Sequence, residues 1–152
     1  MKSKQLKMEE ENAEYTDQTV EVPMTKENGV FKVKCSINGL PLHFVFDTGA
    51  ANVTISAVEA AFMYKNNYLS DKDFMGSSSF LTASGDIIEG SVVNLRNVNF
   101  GGLDMNNVKA TVVKTQNAPI LLGQSVLSRL GKVEIDYSSY TIRITRKVKT
   151  TR

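Results

Sequence analysis

A single aspartate at the end of an apolar strand pattern is the strongest candidate for chemistry in this sequence. Asp47 follows residues 40–46, which are apolar on both faces except for His43 and therefore predict a strand that enters the core. A buried carboxylate needs hydrogen bonds, a counter-charge or a shared proton. Thr48 offers a hydroxyl, and Gly49 permits a close approach of the backbone. An ordinary turn aspartate that leaves a strand is the alternative interpretation.

The composition excludes several other kinds of catalytic or metal-binding site. The 152 residues include one cysteine, Cys35, and one histidine, His43, which excludes an intrachain disulfide, a multi-cysteine zinc site and a multi-histidine metal centre. The net charge of +2 is too small to indicate a nucleic-acid partner. We therefore expect any chemistry to rest mainly on carboxylates, hydroxyls or backbone groups. Cys35 is predicted to be a buried apolar residue and His43 a packed or surface strand residue.

The elements that must position Asp47 follow from the period of apolar residues and from turn residues. Short strands at close spacing predict an all-β barrel or sandwich. The predicted strands cover residues 19–24, 30–37, 40–46, 80–83, 86–95, 98–100, 108–114, 120–123, 133–137 and 140–145. One short helix is predicted from the N-cap Ser56, with Glu59 completing a capping box, to about Tyr64. A second covers 124–130 and ends at Gly131.

This pattern predicts one domain over residues 19–147. Residues 1–18 are rich in lysine and glutamate and are predicted to be a flexible tail or linker, and residues 148–152 a basic tail. No apolar run approaches the roughly 20 residues that span a bilayer, and the start has no apolar segment typical of a secretory signal. We expect a soluble chain, with a periplasmic, a cytoplasmic and a membrane-tethered longer form all left open. Membrane contact is expected only through an upstream anchor.

A second motif lies about 70 residues after Asp47. Ile-Leu-Leu-Gly at 120–123 leads directly into the helix predicted at 124–130. Together with Phe-Asp-Thr-Gly-Ala at 46–50, it resembles the retropepsin-like aspartic proteases, which include retroviral proteases and single-domain bacterial homologues. The resemblance covers roughly residues 20–144. It implies an all-β, closed barrel-like retropepsin fold with two short helices and one Asp-Thr-Gly per chain.

The resemblance implies an aspartic endopeptidase that works as a C2 homodimer, because each chain supplies one Asp-Thr-Gly. The catalytic residues implied are Asp47, Thr48 and Gly49, with Thr48 hydrogen-bonded across the dyad axis and Gly49 holding the carboxylates coplanar. The substrate implied is an extended polypeptide, without metal or cofactor. Two alternatives remain open: a non-catalytic dimeric peptide-binding module on the same fold, and an unrelated small β-barrel in which Asp47 caps a turn.

The resemblance also implies a substrate cleft and a flap that covers it. Thr-Ala-Ser-Gly at 82–85 stands where the family places its flap, in a hairpin predicted over 80–95. A plain surface hairpin is the alternative. The substrate-binding candidates are Ala50, Ala51, Asn52, Thr82, Ala83, Ser84, Gly85, Leu122 and Gly123.

Two positions depart from the retroviral pattern. Asn52 and Gln124 stand where retroviral members usually carry an aspartate and an arginine that form an ion pair. We expect the two amides to hydrogen-bond within one chain instead. In retropepsins the chain termini interleave in a dimer sheet, and the candidate strands for this role are 19–24 and 140–145.

Overall fold

Hydrogen-bonded strands make up most of the fold in the computed structural model, which describes residues 14–47, 49–76, 80–114 and 120–150. The strands are β1 Tyr15–Glu27, β2 Val30–Ile37, β3 Leu40–Phe46, β4 Val53–Ser56, β5 Phe74–Met75, β6 Val92–Phe100, β7 Leu103–Val113, β8 Ile120–Leu122, β9 Lys132–Asp136 and β10 Thr141–Lys149. The helices are α1 Ala57–Lys65 and α2 Gln124–Leu130, with a single 3-10 turn at Asp71–Asp73.

The described strands form one sheet in the order β5-β6-β7-β4-β8-β3-β2-β1-β10-β9. An additional pairing between β6 and β2 folds the sheet back on itself, while β5 and β9 remain at its two ends. The prediction of a barrel-like all-β fold with two short helices is confirmed, although the sheet is not a fully closed barrel. The core inside it contains large side chains that are fully buried, among them Ile37, Phe44 and Phe100.

Local turn chemistry explains the first two hairpins. Asn28 and Gly29 connect β1 to β2 with φ values of 52° and 81°, and Asn38 and Gly39 connect β2 to β3 with φ values of 50° and 86°. Asparagine and glycine tolerate positive φ, which the favoured two-residue hairpin turns require. The predicted bounds of β2 and β3 are confirmed to the residue.

The β1–β10 pair is longer than predicted. The two strands pair antiparallel over nine residue pairs, from Tyr15 with Lys149 to Pro23 with Thr141. Strand β1 thus begins four residues before the predicted boundary at Thr19, and β10 continues beyond its predicted end at Thr145 to Lys149. The longer pairing is possible because each strand satisfies the backbone hydrogen bonds of the other. Residues 1–13, 151 and 152 lie outside the described residues, so the division into tail, domain and tail stays a prediction.

Both predicted helices are present. The Ser56 side chain accepts a hydrogen bond of 3.1 Å from the Glu59 backbone N–H, which is the N-cap contact that begins α1. Helix α2 ends at Gly131, whose φ is 116°. A Cβ there would lie 2.6 Å from the carbonyl oxygen of Thr145, so this position also needs glycine for space.

The segment between α1 and β6 differs from the prediction. We expected strands over 80–83 and 86–95, but the structure has one isolated bridge, Leu81 with Ile87, and β6 begins only at Val92. The reason is a second turn: the Ser91 N–H donates to the Ile88 carbonyl oxygen, which bends the chain before β6. Residues 66–79 are polar and contain no predicted element, but the 3-10 turn and β5 lie in this stretch; residues 77–79 lie outside the described residues.

Burial agrees with the predictions for the two unique residues. Cys35 is buried, and this burial raises the pKa of its thiol, while His43 is exposed on β3. Within the described ranges, no helix is both long enough and apolar enough to cross a bilayer.

Candidate active site

Asp47 lies immediately after β3, at the edge of the core. Its residue is half-buried, and its backbone N–H donates a 3.3 Å hydrogen bond to the carbonyl oxygen of Leu122 in β8. One carboxylate oxygen, Oδ1, accepts a 2.9 Å hydrogen bond from the N–H of Gly49. The Asp47 carbonyl oxygen accepts from the Ala50 N–H at 3.2 Å, which closes a tight turn. Thr48, the remaining predicted catalytic residue, lies outside the described residues.

The strands bring the two sequence motifs side by side. Strands β3 and β8 run parallel, with Phe46 opposite Leu122, so both motifs leave the sheet at the same end. From there the N–H of Gln124 donates to the Ala50 carbonyl oxygen at 2.7 Å. The N–H of Ser125 donates to the Ala51 carbonyl oxygen at 2.9 Å. The first N–H groups of α2, which have no partner inside the helix, are thus satisfied by the Asp47 loop.

Gly123 is the point of closest approach between the two motifs. A Cβ at this position would lie 2.6 Å from the carbonyl oxygen of Asn52 and 2.8 Å from that of Ala50. Its φ of −101° is ordinary, so glycine is required here for space alone. The Leu122 side chain is fully buried, and Leu122 reaches Asp47 through its backbone carbonyl. The predicted Asn52–Gln124 side-chain hydrogen bond stays a prediction.

The segment predicted as a flap tip is a compact, exposed turn. The Gly85 N–H donates to the Thr82 carbonyl oxygen at 2.9 Å, and the Thr82 N–H donates to the Asp86 carbonyl oxygen at 2.8 Å. Gly85 has a φ of 85°, as a turn glycine should. The hydrogen bonds described for Thr82, Ser84 and Gly85 stay within this turn, so the structure of one chain does not connect them to Asp47. Their role in substrate binding, with that of Ala83, stays a prediction.

Asp86 belongs to this turn, and sequence reasoning missed it. Its carboxylate accepts a 3.0 Å hydrogen bond from the Ser84 hydroxyl, and its N–H donates to Thr82 Oγ1 at 3.0 Å. The sequence signal for it is Thr82, a hydroxyl residue four positions before Asp86 in a segment that contains Gly85. Hydroxyl side chains at such positions close turns by hydrogen-bonding to nearby backbone groups.

A cleft of about 640 Å³ lies between α1 and this turn. Its apolar lining includes Ala61, Phe62 and Ile87, and its polar rim includes Thr82 and Asp86. Among the described residues, Asp47 is not part of this lining. The cleft and the Asp47 loop are therefore formed by different residues. No group of three or more histidine, cysteine or acidic side chains in the described ranges is arranged to hold a metal ion.

Comparison with known proteins decides the family. The sequence model of the gag-polyprotein putative aspartyl proteases matches residues 33–129, which contain both motifs. The chain belongs to this aspartyl protease family. The match begins in β2 and ends in α2, so β1, β9 and β10 lie outside it. A comparison with curated protein sequences finds no match.

Solved structures show the same fold for this family member. A retropepsin-like aspartic protease from Rickettsia conorii matches with a TM-score of 0.61 and 20% identity, covering 90% of this chain and 98% of that one. The retroviral protease-like domain of Ddi1 from Leishmania major matches with a TM-score of 0.52 and 16% identity, covering 78% and 94%. At these identities the likeness establishes a retropepsin-like fold, as the two motifs predicted.

Proposed function

We propose that this protein is an aspartic endopeptidase that acts as a C2 homodimer. The observation that carries the proposal is the joining of the Asp47 loop to the second motif: the Asp47 N–H donates to the Leu122 carbonyl oxygen, and the Gln124 N–H donates to the Ala50 carbonyl oxygen. A carboxylate held at the end of two parallel strands by backbone contacts is pre-organised for chemistry, because its loop does not have to be ordered when substrate binds. Family membership supports the same activity.

The mechanism follows from the need for two carboxylates. The described chain has one Asp-Thr-Gly, so a second copy must supply the other aspartate. Two carboxylates that share a site repel each other when both are ionised, so the pair holds one shared proton, as in aspartic proteases generally. The ionised Asp47 takes a proton from a water, which attacks the scissile carbonyl carbon. The protonated Asp47 of the partner subunit donates its proton to the carbonyl oxygen, which gives a tetrahedral diol. The C–N bond then breaks as the proton taken from the water passes to the leaving nitrogen, and a hydroxyl of the diol returns a proton to the carboxylate pair as the carbonyl forms again.

The remaining predicted residues keep supporting roles in this proposal. Thr48 would hydrogen-bond across the twofold axis, and the backbone of Gly49 would hold the carboxylates coplanar, as the family resemblance implies. The N–H of Gly49 already donates to Asp47 Oδ1, which orients the carboxylate within one chain. The turn at residues 82–86 would close over an extended polypeptide and offer it backbone hydrogen bonds.

Cleavage of an unfolded protein mixture tests the proposal. Wild type and Asp47→Asn would be incubated from pH 3 to pH 8 at concentrations where the protein is dimeric, and products read by mass spectrometry. We expect wild-type cleavage to exceed that of Asp47→Asn by at least about 100-fold, the scale of lost acid–base catalysis. Asp104→Asn is the matched control, because this exposed aspartate lies in β7, outside the site. Equal products from wild type and Asp47→Asn would contradict the proposal, as would peptide binding without any cleavage.

A further inference from the structure

Two hairpin turns of the sheet share the sequence Asn-Gly but differ in their surroundings. Asn28 and Gly29 join β1 to β2, while Asn38 and Gly39 join β2 to β3, and the φ values of the two turns are nearly equal. An asparagine that precedes glycine is prone to lose its side-chain amide, because glycine has no Cβ to shield its own backbone nitrogen from attack on the asparagine side chain. Any difference in reactivity between the two turns must therefore come from what surrounds each asparagine.

The Asn38 side chain is hydrogen-bonded at both of its polar atoms. Its Nδ2 donates to the carbonyl oxygen of Tyr68 at 2.7 Å, and its Oδ1 accepts from the N–H of Asn97 at 2.9 Å. Both partners are backbone groups of other parts of the chain. Turning the Asn38 amide towards the nitrogen of Gly39 would break both hydrogen bonds and leave the two backbone groups without them, which costs free energy.

The Asn28 side chain has no such restraint. Asn28 and Gly29 are exposed, and among the described residues neither the Asn28 side chain nor the Gly29 N–H has a hydrogen-bond partner. A Cβ built on Gly29 would meet no atom within 4 Å, so the space beside this residue is open. The Asn28 amide can therefore rotate towards the nitrogen of Gly29 without breaking any described contact.

We propose that Asn28 is a site of spontaneous deamidation and that the fold protects Asn38 from the same reaction. A solvent base takes the N–H proton of Gly29, and this nitrogen forms a bond to Cγ of Asn28. The side-chain nitrogen takes up a proton and leaves as ammonia, which closes a succinimide ring. Water then opens the ring at either carbonyl and leaves an aspartyl or an isoaspartyl residue. One water is consumed, one ammonia is released, and the turn gains one carboxylate.

The modified turn lies towards the end of the sheet at which Asp47 leaves β3. Strands β2 and β3 are antiparallel with Lys32 opposite Val45, so the chain from Lys32 back to Asn28 runs in the same direction as the chain from Val45 on to Asp47. The new carboxylate also stands next to Glu27, which forms an ion pair of 3.0 Å with Lys32. Deamidation therefore changes the charge at this end of the sheet.

The isoaspartyl product also changes the backbone. Its main chain runs through Cβ and Cγ of the former asparagine, so the two-residue turn becomes longer by one carbon atom. Turn type and loop length fix the register of a hairpin, and here they place Glu27 opposite Val30 and Lys26 opposite Phe31. The pairing of β1 with β10 lies further along the strand, so we expect the disturbance to stay within the β1–β2 hairpin.

Peptide mapping of the aged protein compares the two sites in one molecule. Folded wild type would be incubated at mildly alkaline pH and digested with trypsin, which places Asn28 in peptide 27–32 and Asn38 in peptide 35–65. Mass spectrometry then gives the deamidated fraction at each asparagine over time. We expect Asn28 to react at least about tenfold faster than Asn38, the scale set by two hydrogen bonds. Equal rates at the two sites would overturn the proposal.

Unfolded protein is the control for intrinsic reactivity. In guanidinium chloride both asparagines lose their native surroundings, and we expect their deamidation rates to agree within about threefold. If Asn28 reacted tenfold faster there as well, the local sequence and not the fold would set the difference, and the protection of Asn38 would be refuted. If the folded protein reacted at neither site while the unfolded protein reacted at both, the assignment of Asn28 would be refuted.

A matched pair of variants links the charge change to this turn. Wild type should accumulate an acidic form during incubation, measured by ion-exchange chromatography. Asn28→Gln should not, because glutamine would have to close a larger and slower-forming ring. Asn106→Gln makes the same change at an exposed asparagine of β7 that does not precede glycine, and it should accumulate the acidic form as wild type does. An acidic form that appears equally fast in Asn28→Gln would overturn the proposal.

Discussion

The rings of Phe74 and Phe80 stack face to face, with centroids 4.0 Å apart and planes 7° from parallel. Tyr64 of α1 meets both rings edge-on, at 6.0 and 5.6 Å. Phe80 lies two residues before the turn at residues 82–86. Three elements, the helix, β5 and the base of the turn, are therefore held together by one aromatic cluster at the point from which the turn projects.

Removing this stack should loosen the turn. Phe80→Ala deletes a half-buried ring, and we expect unfolding free energy to fall by about 1–3 kcal/mol. The amides of Thr82, Gly85 and Ile88, which are hydrogen-bonded within this segment, should exchange about tenfold faster with deuterated water. Tyr15→Ala, which removes an exposed ring of β1, is the control. Unchanged exchange in Phe80→Ala would show that the turn is held by its own hydrogen bonds.

Gly123 should tolerate no side chain. In Gly123→Ala the new Cβ meets the carbonyl oxygens of Asn52 and Ala50, which belong to backbone and cannot rotate away. We expect unfolding free energy to fall by about 1–3 kcal/mol, as in overpacked cores. Cleavage should fall at least about tenfold, because small displacements of a catalytic group are costly.

Ser125→Ala is the control for that substitution. Ser125 lies two residues after Gly123, and its alanine variant keeps the backbone hydrogen bond to Ala51. The substitution adds no atom near the carbonyl oxygens of Asn52 and Ala50. Its unfolding free energy should stay within about 0.5 kcal/mol of wild type in urea titrations. Equal stability of Gly123→Ala and wild type would mean that the two motifs can separate without cost.

Tyr140 holds a backbone conformation that bulky residues rarely adopt. Its φ is 53°, in the left-handed region, while its ring packs near that of Phe31. Tyr140→Ala and Tyr140→Asn both lose the ring, but asparagine tolerates this conformation better. We expect Tyr140→Asn to be more stable than Tyr140→Ala by about 0.5–1 kcal/mol in thermal or urea unfolding. Equal stabilities would indicate that the backbone relaxes to negative φ in both.

Acid should weaken the turn after β9. The Ser138 hydroxyl and the N–H groups of Ser139 and Ser138 donate to the Asp136 carboxylate and lower its pKa from 3.8 to about 2. A pKa lower in the folded state means that this stabilisation is present above about pH 4 and is lost as the pH falls towards 2. Asp136→Asn should therefore lose less stability than wild type between pH 4 and 2.

Urea unfolding at several pH values within this window measures the effect. Ser138→Ala removes the hydroxyl that donates to Asp136 at 2.6 Å, and it should reduce the same acid dependence in part. If the unfolding free energy of Asp136→Asn falls with pH as much as that of wild type, the acid sensitivity comes from other carboxylates.

The sequence by itself determined the features that depend on short-range chemistry. The Asn28–Gly29 turn, the Ser56 N-cap and the Gly131 helix end were predictable, since each depends on the conformational preference or side-chain oxygen of one or two residues. The pairing of the two motifs was predictable only through their family resemblance, because local pattern does not reveal that β3 and β8 are neighbours.

Tertiary structure decided the features that depend on distant pairings. Asp73 is buried beside Arg96, with Nε 3.2 Å from its carboxylate, in a stretch that reads as a polar loop. The segment predicted as a flap, residues 80–95, has one isolated bridge and a second turn before β6 in place of the predicted strands. Above all, β1 pairs with β10 inside the chain, and β9 ends the sheet among the described residues. Which edges of a sheet stay open follows from the order of all its strands, and that order is fixed by long-range packing rather than by the residues of any one strand.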